Sequence, residues 1–168
     1  MRCEILRAVP SRRGGGPQHD CVFVERDPSL QGMQGLDVVW ILAFVSFLFE
    51  GVYYPCALVR WFSKVDNMPD NLTGMYKIQP DFNEDNSPLV EIIHLDCVLW
   101  AAHLLPIFGE EFIDPDVACH NSLDSFSSFY VNKFIDHQAF DIILMMMLPL
   151  CAALLSLVKC PTHLCDFH

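Results

Sequence analysis

The sequence predicts an α+β fold, in which a small, strongly bent antiparallel sheet or SH3-like β-barrel is followed by C-terminal helices. Runs rich in β-branched and aromatic residues recur between residues 21 and 95 and indicate four or five strands. Glu50-Gly51 separates the two longest runs, as in a hairpin turn. After residue 122 the apolar residues recur at helical spacing. With 168 residues, 52% of them apolar, the chain is able to bury a core.

We expect four segments along the chain, each with its own composition. They are a flexible N-terminal arm (1–20), a β-rich domain (21–108), a loop with an amphipathic helix (109–141), and an apolar helix with a short polar tail (142–168). The glycine triplet between two prolines in residues 10–17 supports a loop within the first segment.

The long hairpin is the strongest strand signal. Residues 37–49 and 52–62 are both rich in β-branched and aromatic side chains. Packing their alternate faces against the other strands is expected to bury these aromatic side chains. Pro55 has no N–H to donate, so the second strand is expected to lie at an edge or to be bulged there. Further strands are expected at 21–25, 75–80 and 89–95, whereas residues 96–108 fit either a helical turn or a continuing strand.

Two helices are expected after the strands. The first opens at Ser122 and runs to about residue 140, because apolar residues recur every three or four positions; these are Leu123, Phe126, Tyr130, Phe134 and Ile135. Its apolar face is expected to dock on the rest of the domain. The second covers residues 142–158, which are apolar without interruption and reach the lower length limit for a membrane span.

The charge distribution argues against direct nucleic-acid binding. The formal net charge is −11, and residues 62–141 carry fourteen acidic and three basic residues. Such a surface repels phosphate backbones, whose neutralisation drives non-specific binding. The basic cluster near the start is interpreted as a solvated arm and consists of Arg2, Arg7, Arg12 and Arg13.

Eight cysteines are scattered without a paired C-x-x-C motif, and no signal peptide is recognisable at the start. They are interpreted as reduced thiols of an intracellular protein. The tail contains four zinc-type ligands, namely Cys160, His163, Cys165 and His168. Their spacing is too tight for the usual paired zinc knuckles, so we predict neither a metal site nor any other cofactor.

No residue is predicted to be catalytic. Two Cys–His pairs lie close in sequence, Cys97 with His103 and Cys119 with His120, but neither is framed by a motif that positions a nucleophile. His94 and His103 are interpreted as hydrogen-bonded histidines of the core or its rim. The carboxylates of one loop are interpreted as solvated; they are Glu110, Glu111, Asp114 and Asp116. The sequon Asn71-Leu72-Thr73 has meaning only in a lumenal protein.

Seven stretches follow one another along residues 2–141: RCEILRAVPS, DCVFVERD, GMQGLDV, VYYPCALVRWFSKV, TGMYKIQP, IIHLDCVLWAAHLLPIFG and SLDSFSSFYVNKFIDHQA. In this order they resemble the C-terminal end of Plavaka-type (CACTA-like) transposases of fungal cut-and-paste DNA transposons. The family's strand pattern is part of the reason for expecting a small barrel.

The resemblance implies that the RNase H-like nuclease core of the family, with its metal-binding carboxylates, lies upstream of the matched region. Residues 142–168 depart from the family's ending, and Phe140 and Asp141 interrupt its basic or His-rich pattern. Both departures indicate a truncated or degenerate copy.

We therefore expect a non-catalytic accessory domain or relic with no enzymatic activity of its own. The resemblance implies as its partner the catalytic part of a related transposase, and a nuclear location if that role persists. The alternative is a tail-anchored, single-pass membrane protein held by residues 142–158.

Overall fold

The computed structural model describes residues 4–11, 16–109, 112–113, 115–118 and 120–134. Within them lie ten strands: β1 (Ala8–Val9), β2 (Gln18–His19), β3 (Cys21–Glu25), β4 (Leu36–Phe49), β5 (Val52–Lys64), β6 (Lys77–Pro80), β7 (Val90–His94), β8 (Val98–Ala102), β9 (Leu104–Pro106) and β10 (Phe129–Val131). The described helices are α1 (Ser122–Ser125) and two 3-10 turns, Gly32–Gln34 and Leu95–Cys97.

Eight strands form one antiparallel sheet that curls into a nearly closed barrel. The strand order is β8-β3-β4-β5-β6-β10-β9, and β7 pairs with β5 beside β6. The two end strands, β8 and β9, are joined only by His103, so the chain itself brings the two ends of the sheet together. β1 and β2 form a separate two-stranded ribbon over the N-terminal segment.

The predicted hairpin is confirmed. β4 and β5 pair from Val38↔Phe62 to Phe49↔Val52, with a bulge between Ile41 and Ala43. The two-residue turn has positive φ at both positions, 50° at Glu50 and 78° at Gly51, which matches the right-handed twist of the strands. This turn sets the register of the longest ladder in the sheet.

Two buried clusters lie on opposite faces of the sheet. The inner one is built around aromatic side chains from distant parts of the chain, including Phe23, Trp40, Phe62, Tyr76 and Phe129. The outer cluster consists of Val22, Val24, Val39, Ile41, Ala57, Val59 and Trp61, under partly buried side chains such as Leu6 and Ile93. Each fully buried large side chain contributes roughly 1.5–3 kcal/mol, so these clusters hold the barrel together.

The predicted α+β class is wrong. Of the residues that the structure describes, 47% are in strands and 8% in helices, and no C-terminal helices follow the sheet among them. Residues 122–134 contain one helical turn, Ser122–Ser125, and then β10, which pairs with β6 and β9. Phe129 and Val131 are buried while Tyr130 is half-buried, so the spacing changes from helical to that of a strand. Pairing with β6 and β9 satisfies the backbone groups of this segment and buries Phe129 and Val131, so the tertiary context overrides the helical spacing.

Residues 96–108, for which the sequence allowed either a helical turn or a continuing strand, form β8 and β9. Its neighbours β3 and β10 supply strand partners on both sides of the barrel closure. The predicted strands at 21–25, 75–80 and 89–95 correspond to β3, β6 and β7.

Lys64 ties the end of β5 to the loop that precedes β4. Its ammonium group donates to the backbone oxygens of Met33 at 2.6 Å and Leu36 at 2.9 Å, and lies 3.6 Å from an Asp37 carboxylate oxygen. The side chain is only 18% exposed, so water competes weakly for these oxygens. The Gly32–Gln34 turn, whose Met33 side chain fills the inner cluster, is thereby fixed to the central hairpin.

Replacing Lys64 with Met is therefore expected to destabilise the fold by about 2 kcal/mol, since hydrogen bonds to a charged donor contribute roughly 1.5–3 kcal/mol. Urea unfolding monitored by Trp fluorescence measures the change. Lys77→Met, the same substitution on half-buried Lys77 of β6, is the matched control and should cost less than about 0.5 kcal/mol. Equal losses in the two variants would contradict the role assigned to Lys64.

Candidate functional site, the apolar hairpin arm

The far end of the β4–β5 hairpin extends beyond its neighbours in the sheet. β3 pairs with β4 only as far as Trp40, and β7 pairs with β5 only from Cys56 onward. Among the described residues, 44–55, which we call the arm, therefore have no strand partner other than each other. The six β4 residues of the arm span roughly 20 Å.

The arm exposes large apolar side chains in a continuous run. Seven are exposed, from 39% at Val45 to 71% at Leu48: Phe44, Val45, Phe47, Leu48, Phe49, Val52 and Tyr53. Burial of the hairpin aromatics, as predicted from the sequence, is therefore wrong for the arm. An exposed apolar surface that is contiguous, rather than scattered, is typical of an interaction site.

Both faces of the arm are apolar. Cross-strand pairing places Val45, Phe47 and Phe49 on one face, where Phe47 stacks on Tyr54 with ring centroids 5.2 Å apart. It places Phe44 and Leu48 on the other face, with Leu48 opposite Tyr53. A strand that is apolar on both faces has the pattern of one that is covered on both sides.

The outer edge of β4 in the arm is open to a further strand. Phe49 and Val52 flank the two-residue turn and form a hydrogen-bonded pair, after which hydrogen-bonded and non-hydrogen-bonded pairs alternate. The N–H groups of Phe44, Ser46 and Leu48 consequently point away from β5. No proline and no charged residue protects this edge between residues 42 and 49, although such residues commonly guard edge strands.

The opposite edge of the arm is blunted by Pro55. Pro55 pairs with Ser46 without a shift in register, and β7 begins only at the next residue of β5. β5 as a whole lies inside the sheet, between β4 and β6 with β7, so the predicted edge strand is wrong, but at Pro55 itself the outer side of β5 has no described partner. Because Pro55 lacks an N–H, this edge is a poorer template for a new strand than that of β4.

A cavity of about 480 Å³ gathers ionisable groups near β3 and β8, including His19, Asp20, Cys21 and His103. The Asp20 carboxylate accepts the N–H of Arg7 at 2.8 Å and the side-chain amide of Gln18 at 2.9 Å. Burial, and secondarily the charge of Asp20, raise the pKa of the Cys21 thiol far above its ordinary value. A protonated thiol is a poor nucleophile, so the cavity does not supply a thiolate.

The structure does not bring Cys97 and His103 together. They lie at opposite ends of the five-residue strand β8, roughly 17 Å or more apart along its axis. His94 has a local role, since its Nδ1 accepts the N–H of Asp96 at 3.2 Å and caps the 3-10 turn.

The acidic loop contributes Asp116 to the described residues, where it lines a cavity of about 810 Å³ together with aromatic side chains such as Phe108 and Phe126 and polar ones such as Asn121. His120 is described, but its sequence neighbour Cys119 lies outside the described residues, as do Glu110, Glu111, Asp114 and the four Cys and His residues of the tail. Within the described ranges, no three His, Cys, Asp or Glu side chains are placed to bind one metal ion.

The sequon lies in a surface turn. Asn71 and Leu72 are exposed, and the Asp70 carboxylate accepts the N–H of Thr73 at 2.8 Å and its hydroxyl at 2.9 Å. These hydrogen bonds hold the pKa of Asp70 below its ordinary value. The Asp70 contacts thus stabilise the turn itself.

No helix in the described part of the chain is long and apolar enough to cross a membrane. The predicted apolar helix, residues 142–158, lies outside the described residues. The membrane alternative therefore stays a prediction.

Comparison with known proteins finds no family model, curated protein or solved structure that matches this chain. The resemblance to Plavaka-type transposases stays a prediction, and the function must be argued from the geometry of the arm.

Sequence reasoning found the hairpin but missed the arm. The length of the apolar run could have indicated it. A strand of 14 residues, Leu36–Phe49, must extend beyond its five-residue neighbour β3. Consecutive apolar residues at 47, 48 and 49 also break the alternation expected of a strand with one solvated face.

Thiol reactivity tests whether Cys21, in the cavity near β3 and β8, is an unreactive thiol. Cys97 is exposed, whereas Cys21 and Cys56 are buried. We expect iodoacetamide to modify Cys97 in the native protein at pH 8 and to modify Cys21 and Cys56 only after unfolding in urea, as measured by peptide mass mapping. Modification of native Cys21 as fast as that of Cys97 would show a reactive thiolate in the cavity.

Proposed function

We propose that the chain is a non-catalytic interaction domain that binds a protein partner through the apolar arm, residues 44–55. The observation that carries this proposal is the exposure of seven large apolar side chains on both faces of one ribbon. Leaving such a surface in water is unfavourable by roughly 25 cal/mol for each Å². A partner that covers both faces gains this free energy.

The mode of binding that the arm favours is strand addition. The open edge of β4 offers N–H and C=O groups to an extended segment of the partner, while the side chains on the two faces provide the apolar contacts. Main-chain hydrogen bonds then supply affinity and the alternating side chains supply specificity.

The distribution of charge supports a protein rather than a nucleic acid or an anionic membrane as the partner. Residues 27–59 contain no Lys or Arg, and Glu50 at the tip is the charged residue of the arm. The whole chain has a formal charge of −11. Phosphate backbones and anionic lipid headgroups both require basic side chains for binding.

The resemblance to Plavaka-type transposases fits an accessory role of this kind. In that setting the domain would serve the assembly of a transposase whose catalytic part is a separate region. No catalytic role is assigned to any residue of this chain.

Photo-crosslinking in the native cells tests the docking proposal. A p-benzoylphenylalanine replacing Leu48 should give a protein adduct, and a further Ser46→Pro substitution should reduce its yield because it removes an outward N–H from the β4 edge. The matched control carries the same photo-reactive residue at Leu72, which is 96% exposed outside the arm. Equal adduct yields at positions 48 and 72, or no effect of Ser46→Pro, would refute docking through the arm.

The non-catalytic part of the proposal has its own test. Purified full-length protein is expected to leave supercoiled plasmid intact in the presence of Mg²⁺ or Mn²⁺, as seen by agarose gel electrophoresis. Metal-dependent nicking that is lost in Asp116→Asn or another single carboxylate variant would overturn it.

A further inference from the structure

We infer that the arm is covered by the chain's own apolar segment, residues 142–158, until a partner displaces it. This inference rests on the proposed function and concerns the regulation of the same surface. The apolar segment lies outside the described residues. Its docking on the arm is inferred from where the described chain ends, from the length of the chain that follows and from its composition.

The described chain ends close to the strand that leads to the arm. The N–H of Asn132 donates to the carbonyl oxygen of His103 at 2.8 Å, so the chain leaves β10 next to the end of β8. The last residue of β8, Ala102, pairs with Cys21 of β3, and Cys21 pairs with Trp40 of β4. Paired residues of neighbouring strands lie roughly 5 Å apart, so these steps place Asn132 within roughly 20 Å of Trp40. Beyond Trp40, β4 continues into the arm.

The chain after the described residues is long enough to reach the arm and to cover it. Residues 135–141 connect the described part to the apolar segment and span roughly 25 Å when extended. As the helix that its sequence predicts, the apolar segment would be roughly 25 Å long, against roughly 20 Å for the arm. A helix is roughly 10 Å wide, about the width of the two strands of the arm. It is therefore able to bury the side chains of one face, such as Phe47 and Phe49.

The composition of the apolar segment suits the arm. The segment contains no charged residue, and Glu50 at the tip is the charged residue of the arm. A contact between them removes apolar surface of both from water, which is favourable by roughly 25 cal/mol for each Å² covered. Lys159 directly follows the segment. When the segment runs from the barrel toward the tip, Lys159 comes to the end of the arm where the opposite charge of Glu50 lies.

The apolar segment has an advantage over a separate partner because it belongs to the same chain. Two groups joined by a short linker meet at an effective concentration in the millimolar range. At an effective concentration of ~1 mM, a weak contact with a Kd of ~0.1 mM would leave roughly one arm in ten uncovered. A partner then binds only this uncovered fraction, so its apparent affinity is about tenfold lower than for an open arm.

Photo-crosslinking within the purified full-length chain tests the covering directly. p-Benzoylphenylalanine replaces Phe47 in one variant and Leu48 in another, so that each face of the arm carries a probe. We expect at least one of the two probes to form an intrachain adduct with residues 142–158, identified by peptide mass mapping of mixed ¹⁵N-labelled and unlabelled chains. A probe at Leu72, which is exposed outside the arm, should give none. The absence of an adduct with residues 142–158 from both arm positions, or adducts that only join two chains, would refute the covering.

A second measurement uncovers the arm without altering it. Leu148→Asp combined with Leu155→Asp places two charges in the apolar segment. These charges should release the segment and raise the fluorescence of added 1-anilinonaphthalene-8-sulfonate by up to about tenfold, because this dye binds exposed apolar surface. Adding Phe47→Thr and Leu48→Thr should abolish the rise, and Thr keeps the strand preference of the arm.

The matched control for the charges is Thr162→Asp combined with His163→Asp, which places two acidic residues beyond the apolar segment and should leave the dye fluorescence unchanged. Equal fluorescence of the wild-type chain and the Leu148→Asp, Leu155→Asp variant contradicts the covering. Sedimentation of the wild-type chain with phosphatidylcholine vesicles, lost in that variant, also contradicts it, because a segment inserted in a membrane does not lie on the arm.

The outcomes separate this inference from the proposed function. If the native cells give an arm-dependent adduct with another protein but no adduct forms with residues 142–158, docking through the arm stands and its regulation by the apolar segment fails. If the intrachain adduct forms but the cells give no adduct with another protein, the covering stands and the proposed docking of a partner fails.

Discussion

The backbone ladder between β4 and β5 is the constraint on which the rest of the structure depends. Its register follows from the turn at Glu50-Gly51, where two successive positive φ angles close the chain within two residues. A slip of one residue would exchange the faces of every side chain in β4. With the observed register, Val38 lies opposite Phe62 inside the barrel, and the remaining strands pair outward from this central hairpin.

The β4–β5 ladder is buried in its first part and exposed in its second part. Between residues 36 and 41 it is flanked by β3 and packs into both buried clusters. The bulge between Ile41 and Ala43 then shifts the alternation, so that odd-numbered residues of β4 lie on the face that Trp40 occupied before it. Beyond this point the hydrogen bonds of the hairpin hold apolar side chains out in water.

Charge and apolar surface are kept apart in this chain. The acidic residues belong mainly to the loops and edge strands after residue 62, while the arm carries a single charge at its tip. The acidic surfaces repel other copies of the chain and nucleic acids at long range. The apolar side chains of the arm attract a partner through the hydrophobic effect, which acts only at contact distance. Specific association through the arm is therefore compatible with resistance to non-specific aggregation.

Local sequence was sufficient for the hairpin, its turn and the strands β3, β6 and β7, because backbone geometry and strand preference are encoded in neighbouring residues. The tertiary structure decided two features that depend on distant partners. Phe129–Val131 became a strand because β6 and β9 lie on either side of it. The arm became exposed because β3 stops at Trp40 and β7 begins to pair only at Cys56. An apolar run shows that a segment can be covered, but only the pairing of remote strands determines whether it is.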